Sequence, residues 1–351
     1  MLIGIPRERK IQEYRIAVTP QTVKVLVREG HGVLIERGAG LGSGFRDDDF
    51  LDAGAILADS EKEVFARSKL IVKVKEPLPQ EYELIKSDNI IFTFLHLAAN
   101  KELMEALINS RSTAIAYETV QEDDGSLPIL AQMSRIAGLL SVQIGLHFLE
   151  KPNGGKGKLM RGAAGVKPGK ITVIGGGTVG YNAIISSLGN GAEVTVVDNN
   201  PRKLDFYFEK FGGQVKTLSS YPEIIEEELR DSDIVIGAVL IPGSRSPVVI
   251  SNGMIRNMEP GSVFVDLAID QGGCSETSRP TNLDSPVYQT DGVIHYCVTN
   301  VPSLVSKTAS MTLANTLLPY ILAIAGDKIG ESSSLKKGIC VENGNLLLRM
   351  V

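Results

Sequence analysis

A glycine-rich turn, Gly175-Gly176-Gly177-Thr178-Val179-Gly180, follows directly on the β-branched run Ile171-Thr172-Val173-Ile174 and opens an apolar helical pattern. No other stretch constrains the fold so far. A chain that leaves a strand, turns on glycine and enters a helix at once has begun a βαβ unit of a parallel sheet. The spacing is G-x-G-x-x-G. Gly175 permits the tight turn, Gly177 lets the backbone approach a pyrophosphate, and Gly180 allows helix and strand to pack closely. Thr178 and Val179 open the helix, whose first N–H groups receive the phosphate charge. A strand at Glu193–Val197 leads into Asp198, 18 residues beyond Gly180. A carboxylate there accepts hydrogen bonds from the adenosine ribose hydroxyls and repels a 2′-phosphate, so NAD is expected over NADP. Arg202 and Lys203 stand close enough to blunt that preference.

Strands and helices alternate on both sides of this turn. Before it, strands are expected at Leu2–Ile5, Val33–Glu36, Leu70–Lys75, Ile90–Leu95 and Thr113–Ala116. Helices lie between them, the first capped by Thr19 with Pro20 at its first position. Ser134 reads as the cap of a long apolar helix reaching Leu149. Further strands are expected at Ile234–Val239, Val263–Leu267 and Val293–Val298, and helix returns after Pro302. Such alternation means crossover connections. The expected architecture is α/β: two doubly wound, Rossmann-like domains with a cleft between them. Residues 131–302 form the NAD-binding domain, and residues 1–130 with 303–351 form a discontinuous substrate domain. The tail from Asp327 reads as a loosely held appendage.

Composition removes several function classes. The 351 residues carry 36 basic and 41 acidic side chains, a net charge of −5, with no basic run to hold nucleic acid or an anionic membrane. Cys274, Cys297 and Cys340 form no C-x-x-C pair, so neither a disulfide framework nor a metal cluster is expected. Residues 171–192 and 308–326 are long and uncharged but too polar for membrane spans. The amino terminus lacks the pattern of a signal peptide. A soluble, cytoplasmic protein without a bound metal is the expectation.

Ligands of an open parallel sheet bind beyond the carboxyl ends of its strands. In the first half, Arg15 lies in the loop after the first strand, while Lys75 and His96 end two later ones, with Tyr117 and Glu118 after another. An arginine suits bidentate carboxylate binding. A lysine polarises a carbonyl or imine, and a histidine moves a proton near neutral pH. Taken singly, Lys75 also reads as a solvated strand-end lysine, His96 as an interior histidine and Arg15 as an ordinary loop residue. His31, His147 and His295 read as structural. In the second half, Asp270 follows a strand of the nucleotide domain and faces the expected nicotinamide position. A turn-capping aspartate before Gln271-Gly272-Gly273 is the other reading.

These residues sit within longer motifs. The opening Gly4-Ile5-Pro6-Arg7-Glu8, the segment Glu13–Pro20, Gly38–Phe45, Lys73-Val74-Lys75-Glu76-Pro77 and Leu95-His96-Leu97-Ala98 resemble the family of alanine dehydrogenases and transhydrogenase nucleotide-binding modules. So do Ile236–Gly243, Asp266–Cys274 and His295–Pro302, the last two pointing to the alanine dehydrogenase branch. The resemblance covers roughly residues 1–325. It implies reversible NAD-linked deamination of L-alanine to pyruvate and ammonia, in a homohexamer. Carried onto this sequence, Arg15 and Lys75 bind the substrate, and His96 and Asp270 share acid/base work. Ser134, Asp198, Lys203, Ser220, Val239, Leu240, Arg279 and the segment Val298–Val301, with Asn300, line NAD beside the glycine turn and Leu267-Ala268-Ile269-Asp270. The sequence departs from the family at Phe94, where tyrosine is expected, at Gly162–Val166, and in a shortened carboxyl-terminal helix. Two other functions remain open: a transhydrogenase-type module exchanging hydride between nicotinamide cofactors, and a non-catalytic NAD sensor.

Overall fold

The structure, a computed structural model, describes residues 1–97, 100–239 and 245–347. The chain divides into two compact units, Met1–Met133 with Ser303–Val351, and Ser134–Pro302. In the first, strands β1 (Leu2–Ile5), β2 (Gly32–Glu36), β3 (Ile56–Ala58), β4 (Leu70–Val72), β5 (Ile90–Thr93) and β6 (Thr113–Ala116) alternate with helices. The helices are α1 (Pro20–Arg28), α2 (Asp47–Asp52), α3 (Glu61–Arg67) and α4 (Lys101–Ser110). Thr19 caps α1 by accepting the Thr22 N–H, and Pro20 occupies the first turn. All six strands run parallel in the order β3-β2-β1-β4-β5-β6. That is a Rossmann order, with its switch point between β1 and β4.

Helix α5 (Pro128–Leu149) starts six residues before the expected cap, so Ser134 lies inside it. The proline rule that finds α1 applies equally to Leu127-Pro128. In the second unit β7 (Lys170–Ile174), α6 (Thr178–Gly189), β8 (Glu193–Asp198), α7 (Pro201–Phe211) and β9 (Val215–Ser219) come first. There follow α8 (Pro222–Arg230), β10 (Ile234–Gly237), α9 (Asn252–Arg256), β11 (Val263–Asp266), β12 (Val287–Thr290) and β13 (Val293–Tyr296). The order is β9-β8-β7-β10-β11-β13-β12, parallel except for β12 on the edge. The doubly wound α/β expectation therefore holds in both units.

The chain then adds α10 (Ser306–Ala325), α11 (Ser333–Gly338), β14 (Ile339–Glu342) and β15 (Asn345–Leu346) to the first unit. This corrects the reading of a loose tail. Strand β14 pairs antiparallel with β6, and Cys340 and Val341, 1% and 0% exposed, join the core of Ile71, Ile91, Leu103 and Ala114. Tyr320 and Ser334 both donate hydroxyl hydrogen bonds to Glu122. A four-residue strand between Gly338 and Gly344 is too short to show against its flanking loops. Two helices, Pro128–Leu149 and Val301–Ala325, have the length and hydropathy of membrane spans. About half of each is buried inside the protein, as in helices that pack into a domain.

Candidate active site

The first unit gathers charge at its switch point. The loop after β1 carries Glu8, Glu13 and Arg15, and the loop after β4 carries Lys73 and Lys75. Arg15 is 3% exposed. Its Nε and Nη2 donate to the two oxygens of Glu13 at 2.7 and 2.5 Å, and Nη1 lies 3.2 Å from the Met133 sulfur. Flanking residues are pinned as well: the Tyr14 carbonyl accepts from Ser43, and the Ile16 N–H donates to Ser310 on α10. The guanidinium is thus oriented before any ligand arrives, which lowers the ordering cost of binding a carboxylate.

Strand β4 stops at Val72, so Lys75 lies in the following loop and not at the end of the strand as expected. Its backbone N–H and that of Val74 donate to the Glu8 carboxylate, at 3.3 and 2.6 Å. Beneath it Lys73 is 1% exposed, with Nζ 2.8 Å from Glu81 and 3.6 Å from Glu8. Burial pushes the Glu8 carboxyl up to about 7 although Lys73 opposes the shift. Burial also draws the Lys73 ammonium down, but Glu8 and Glu81 outweigh it and leave it above its usual value. Nearby Tyr117 is fully buried, and burial together with the charge on Glu8 raises its hydroxyl.

His96 likewise stands past its strand, since β5 ends at Thr93. Its ring is half-exposed, so it is not an interior histidine. It adopts a left-handed φ of 50°, with Glu118 accepting its N–H at 2.6 Å and that of Leu95 at 3.2 Å. The ring stacks on Phe94, and Nδ1 lies 3.9 Å from the same carboxylate. Phe94 also packs edge-on against Tyr117.

In the second unit the glycine turn has a distinct reason at each position. Gly175 has φ 102°, and a Cβ there would lie 2.6 Å from the Ala238 carbonyl oxygen. A Cβ on Gly180 would lie 1.9 Å from the Gly175 oxygen, so strand and helix meet backbone to backbone. Gly177 differs: a Cβ there meets nothing within 4 Å among the described residues, and it caps α6 without a side chain. Open space before uncapped N–H groups is what a bound phosphate requires. Thr178 is exposed and Val179 half-buried at the start of α6.

Asp198, at the end of β8, accepts the Gly176 N–H at 2.6 Å and the Asn200 N–H at 2.8 Å, with the half-exposed Lys203 3.3 Å away. It therefore shapes the turn, and Oδ1 retains acceptor capacity for a hydroxyl. Ser220 donates its N–H to the Asp198 carbonyl. Val239 is half-buried beside Gly175, while Leu240 lies outside the described residues. After β11, Leu267 is half-buried, Ala268 and Ile269 are buried, and Asp270 is exposed in a single turn of 3₁₀ helix. The exposed Arg279 sits over the Tyr288 ring, its guanidinium carbon 4.1 Å from the centroid. Val298 and Val301 are buried, Asn300 has φ 62°, and Ser134 is half-buried on α5.

Several supporting residues carry no signal in single-residue reading. Glu13 binds Arg15 from two positions away, Glu8 fastens the Lys75 loop, and Tyr207 donates to the Gly176 carbonyl from α7. His295 is buried and bonds to Thr277, a structural role as expected. The three cysteines are buried thiols.

Two Rossmann-order units, one with an open phosphate-binding turn and the other with buried cations at its switch point, define a two-domain dinucleotide-binding protein. Residues 4–137 match the family model described as alanine dehydrogenase/PNT, N-terminal domain, and residues 141–349 its C-terminal domain. The alanine dehydrogenase of Methanococcus maripaludis is 46% identical over 100% of this chain and 95% of its own length. That of Bacillus subtilis is 45% identical over 100% and 94%. A solved L-alanine dehydrogenase superposes with a TM-score of 0.95 at 45% identity, covering 99% of this chain and 97% of its own. A transhydrogenase from Sinorhizobium meliloti gives a TM-score of 0.88 at 26% identity over 99% and 100%. The chain belongs to the alanine dehydrogenase/PNT family.

Proposed function

We propose that this chain is an NAD-dependent L-alanine dehydrogenase, interconverting L-alanine with pyruvate and ammonia. The observation that carries the reading is similarity over the whole chain to a solved L-alanine dehydrogenase. The charged switch point of the first unit and the open turn of the second supply the parts such a reaction needs.

NAD, when bound, accepts the hydride from the alanine Cα. The Gly175–Gly180 turn and the start of α6 would hold its pyrophosphate, and Asp198 would take its adenosine ribose. Ser220, Val239 and Arg279 line the same site with Leu267–Asp270 and Val298–Val301. Arg15, already oriented by Glu13, binds the substrate carboxylate, and Lys75 contacts the carboxylate and carbonyl region. Loss of hydride leaves an iminium, to which water adds. His96 takes a proton from that water, returns it to the departing amine, and then accepts the hydroxyl proton as the C–N bond of the carbinolamine breaks and the carbonyl forms. Asp270, exposed and free of hydrogen-bond partners among the described residues, orients the water or ammonia and offsets positive charge.

The enzyme is cytoplasmic and assembles as a homohexamer. Sedimentation of the purified protein tests the assembly, since a monomer would contradict it. Reduction of NAD by L-alanine, with pyruvate and ammonia formed in equal amounts, tests the reaction. A transhydrogenase-type module, favoured by the 26% identical Sinorhizobium meliloti structure, would transfer hydride between nicotinamides without alanine.

A further inference from the structure

Asp266 is the last residue of β11 and is completely buried, yet it makes no ion pair among the described residues. Four hydrogen bonds converge on it instead. Oδ1 accepts the Ala268 N–H at 2.9 Å and the Cys274 thiol at 3.5 Å. Oδ2 accepts the Cys274 N–H at 2.9 Å and the Ser278 hydroxyl at 2.5 Å. Two of these donors, Ala268 and Cys274, are the two ends of the short loop that carries Asp270.

Inside that loop the chain folds tightly. Gln271 and Gly273 both donate N–H groups to the Ala268 carbonyl, and Gly272 and Gly273 have φ of 100° and 81°. No room is left around the carboxylate. A Cβ on Gly273 would lie 2.9 Å from Oδ2, and one on Gly237 would lie 2.4 Å from the Cys274 sulfur. Outside the loop, the Ser278 hydroxyl ties the same carboxylate to the residue before Arg279. Asp270 itself is held by no side chain among the described residues. Its position is therefore set by the backbone, which Asp266 holds at both ends of the loop while the Ser246 N–H donates to the Gln271 carbonyl within it.

We propose that Asp266 is a positioning residue for the reaction, fixing Asp270 through both ends of its loop and steadying the approach to Arg279. This rests on the role given to Asp270 above. A buried carboxylate suits the task because one group can accept several hydrogen bonds from donors that converge on it. An amide of the same shape cannot. Asparagine would turn an N–H₂ toward two of the four donors, leaving buried N–H, O–H or S–H groups opposed.

The test is a double-mutant cycle on the full-length enzyme, reading kcat for pyruvate amination, KM for NADH and melting temperature. Asp266→Asn should lower kcat by about tenfold or more in the parent, yet by less than about threefold in the Asp270→Asn background, because the group it positions is already gone. An equal loss in both backgrounds overturns the proposal, since Asp266 would then act without Asp270. Parental kcat in Asp266→Asn also overturns it. Parental kcat in Asp270→Asn overturns the role of Asp270 itself, a separate and distinguishable failure. Should Asp266→Asn not fold, Ser278→Ala removes one of the four bonds at the partly exposed edge. It should lower kcat and raise KM for NADH by severalfold, the kcat effect vanishing in Asp270→Asn. Unchanged constants in that variant would contradict the proposal.

Discussion

Replacing Gly177 and Gly180 by alanine in turn separates a ligand contact from a packing contact within one motif. At Gly177 the backbone has φ −83° and ψ −166°, a conformation open to any L residue, and a Cβ there meets nothing within 4 Å among the described residues. The methyl group restricts the unfolded chain but is a poorer helix cap, and these small effects offset to within about 1 kcal/mol. Melting temperature should therefore hardly move. The same methyl fills the space through which a pyrophosphate reaches the first N–H groups of α6. Losing one or two charge-assisted hydrogen bonds costs about 3 kcal/mol. At ~1.4 kcal/mol per decade, the Kd for NADH rises about 100-fold. At Gly180 the added Cβ would stand 1.9 Å from the Gly175 carbonyl oxygen. Strand β7 and helix α6 must part to admit it, and overpacking of that kind costs ~1–3 kcal/mol or more. Thermal melting and NADH fluorescence titration of both variants decide the matter. The reasoning is refuted if Gly177→Ala binds NADH as tightly as the parent, or if it destabilises the fold as much as Gly180→Ala does.

The other expectations concern charge. NADH should be used more than about tenfold better than NADPH, and Asp198→Ala should narrow that ratio chiefly by weakening NADH; equal use by the parent would contradict the role of Asp198. Arg15→Ala or Lys75→Ala should raise KM for pyruvate, at a cost of ~2–5 kcal/mol for the charge pair broken, while the Kd for NADH stays within about twofold. His96→Ala and Asp270→Asn should each lower kcat by ~10²-fold or more with NADH still bound, as measured by single-turnover kinetics and titration. Burial holds the Glu8 carboxyl at about 7 against an ordinary 4.5. Between those values the native chain keeps a proton that the unfolded chain has lost, so stability falls as pH rises through this window and levels off above it. At ~1.36 kcal/mol per unit the span is about 3 kcal/mol. In urea unfolding, the stability of Glu8→Gln relative to the parent should rise by about that amount between about pH 5 and about pH 8. A constant difference would show that Glu8 does not titrate there.

Periodicity and glycine spacing make the nucleotide unit legible, because a turn in which a Cβ on Gly180 would lie 1.9 Å from the Gly175 carbonyl oxygen leaves little choice of residue. The strand ends are less so. Val74 and Lys75 continue the apolar alternation of β4, but Glu8 takes their N–H groups away from the sheet ladder, and the strand stops at Val72. Nothing local in Leu70–Lys75 announces a partner more than sixty residues away. Ser134 fails as a cap for the opposite reason: a local signal was present, but the earlier Pro128 takes precedence. Arg15, Lys75, His96 and Asp270 can be chosen from their places after strands. Glu118 also follows a strand, but the holding roles of Glu13, Glu8, Glu118 and Asp266 cannot be read there, since an acidic side chain reads as solvated until its donors are seen.

The most direct test of the central claim is NADH oxidation by the purified protein with a panel of 2-oxo acids, with and without ammonium. Turnover should require ammonium, be fastest with pyruvate, and yield L-alanine mole for mole with NADH consumed. Oxidation that proceeds equally without ammonium, or hydride passing between nicotinamide cofactors in place of pyruvate, would contradict the account.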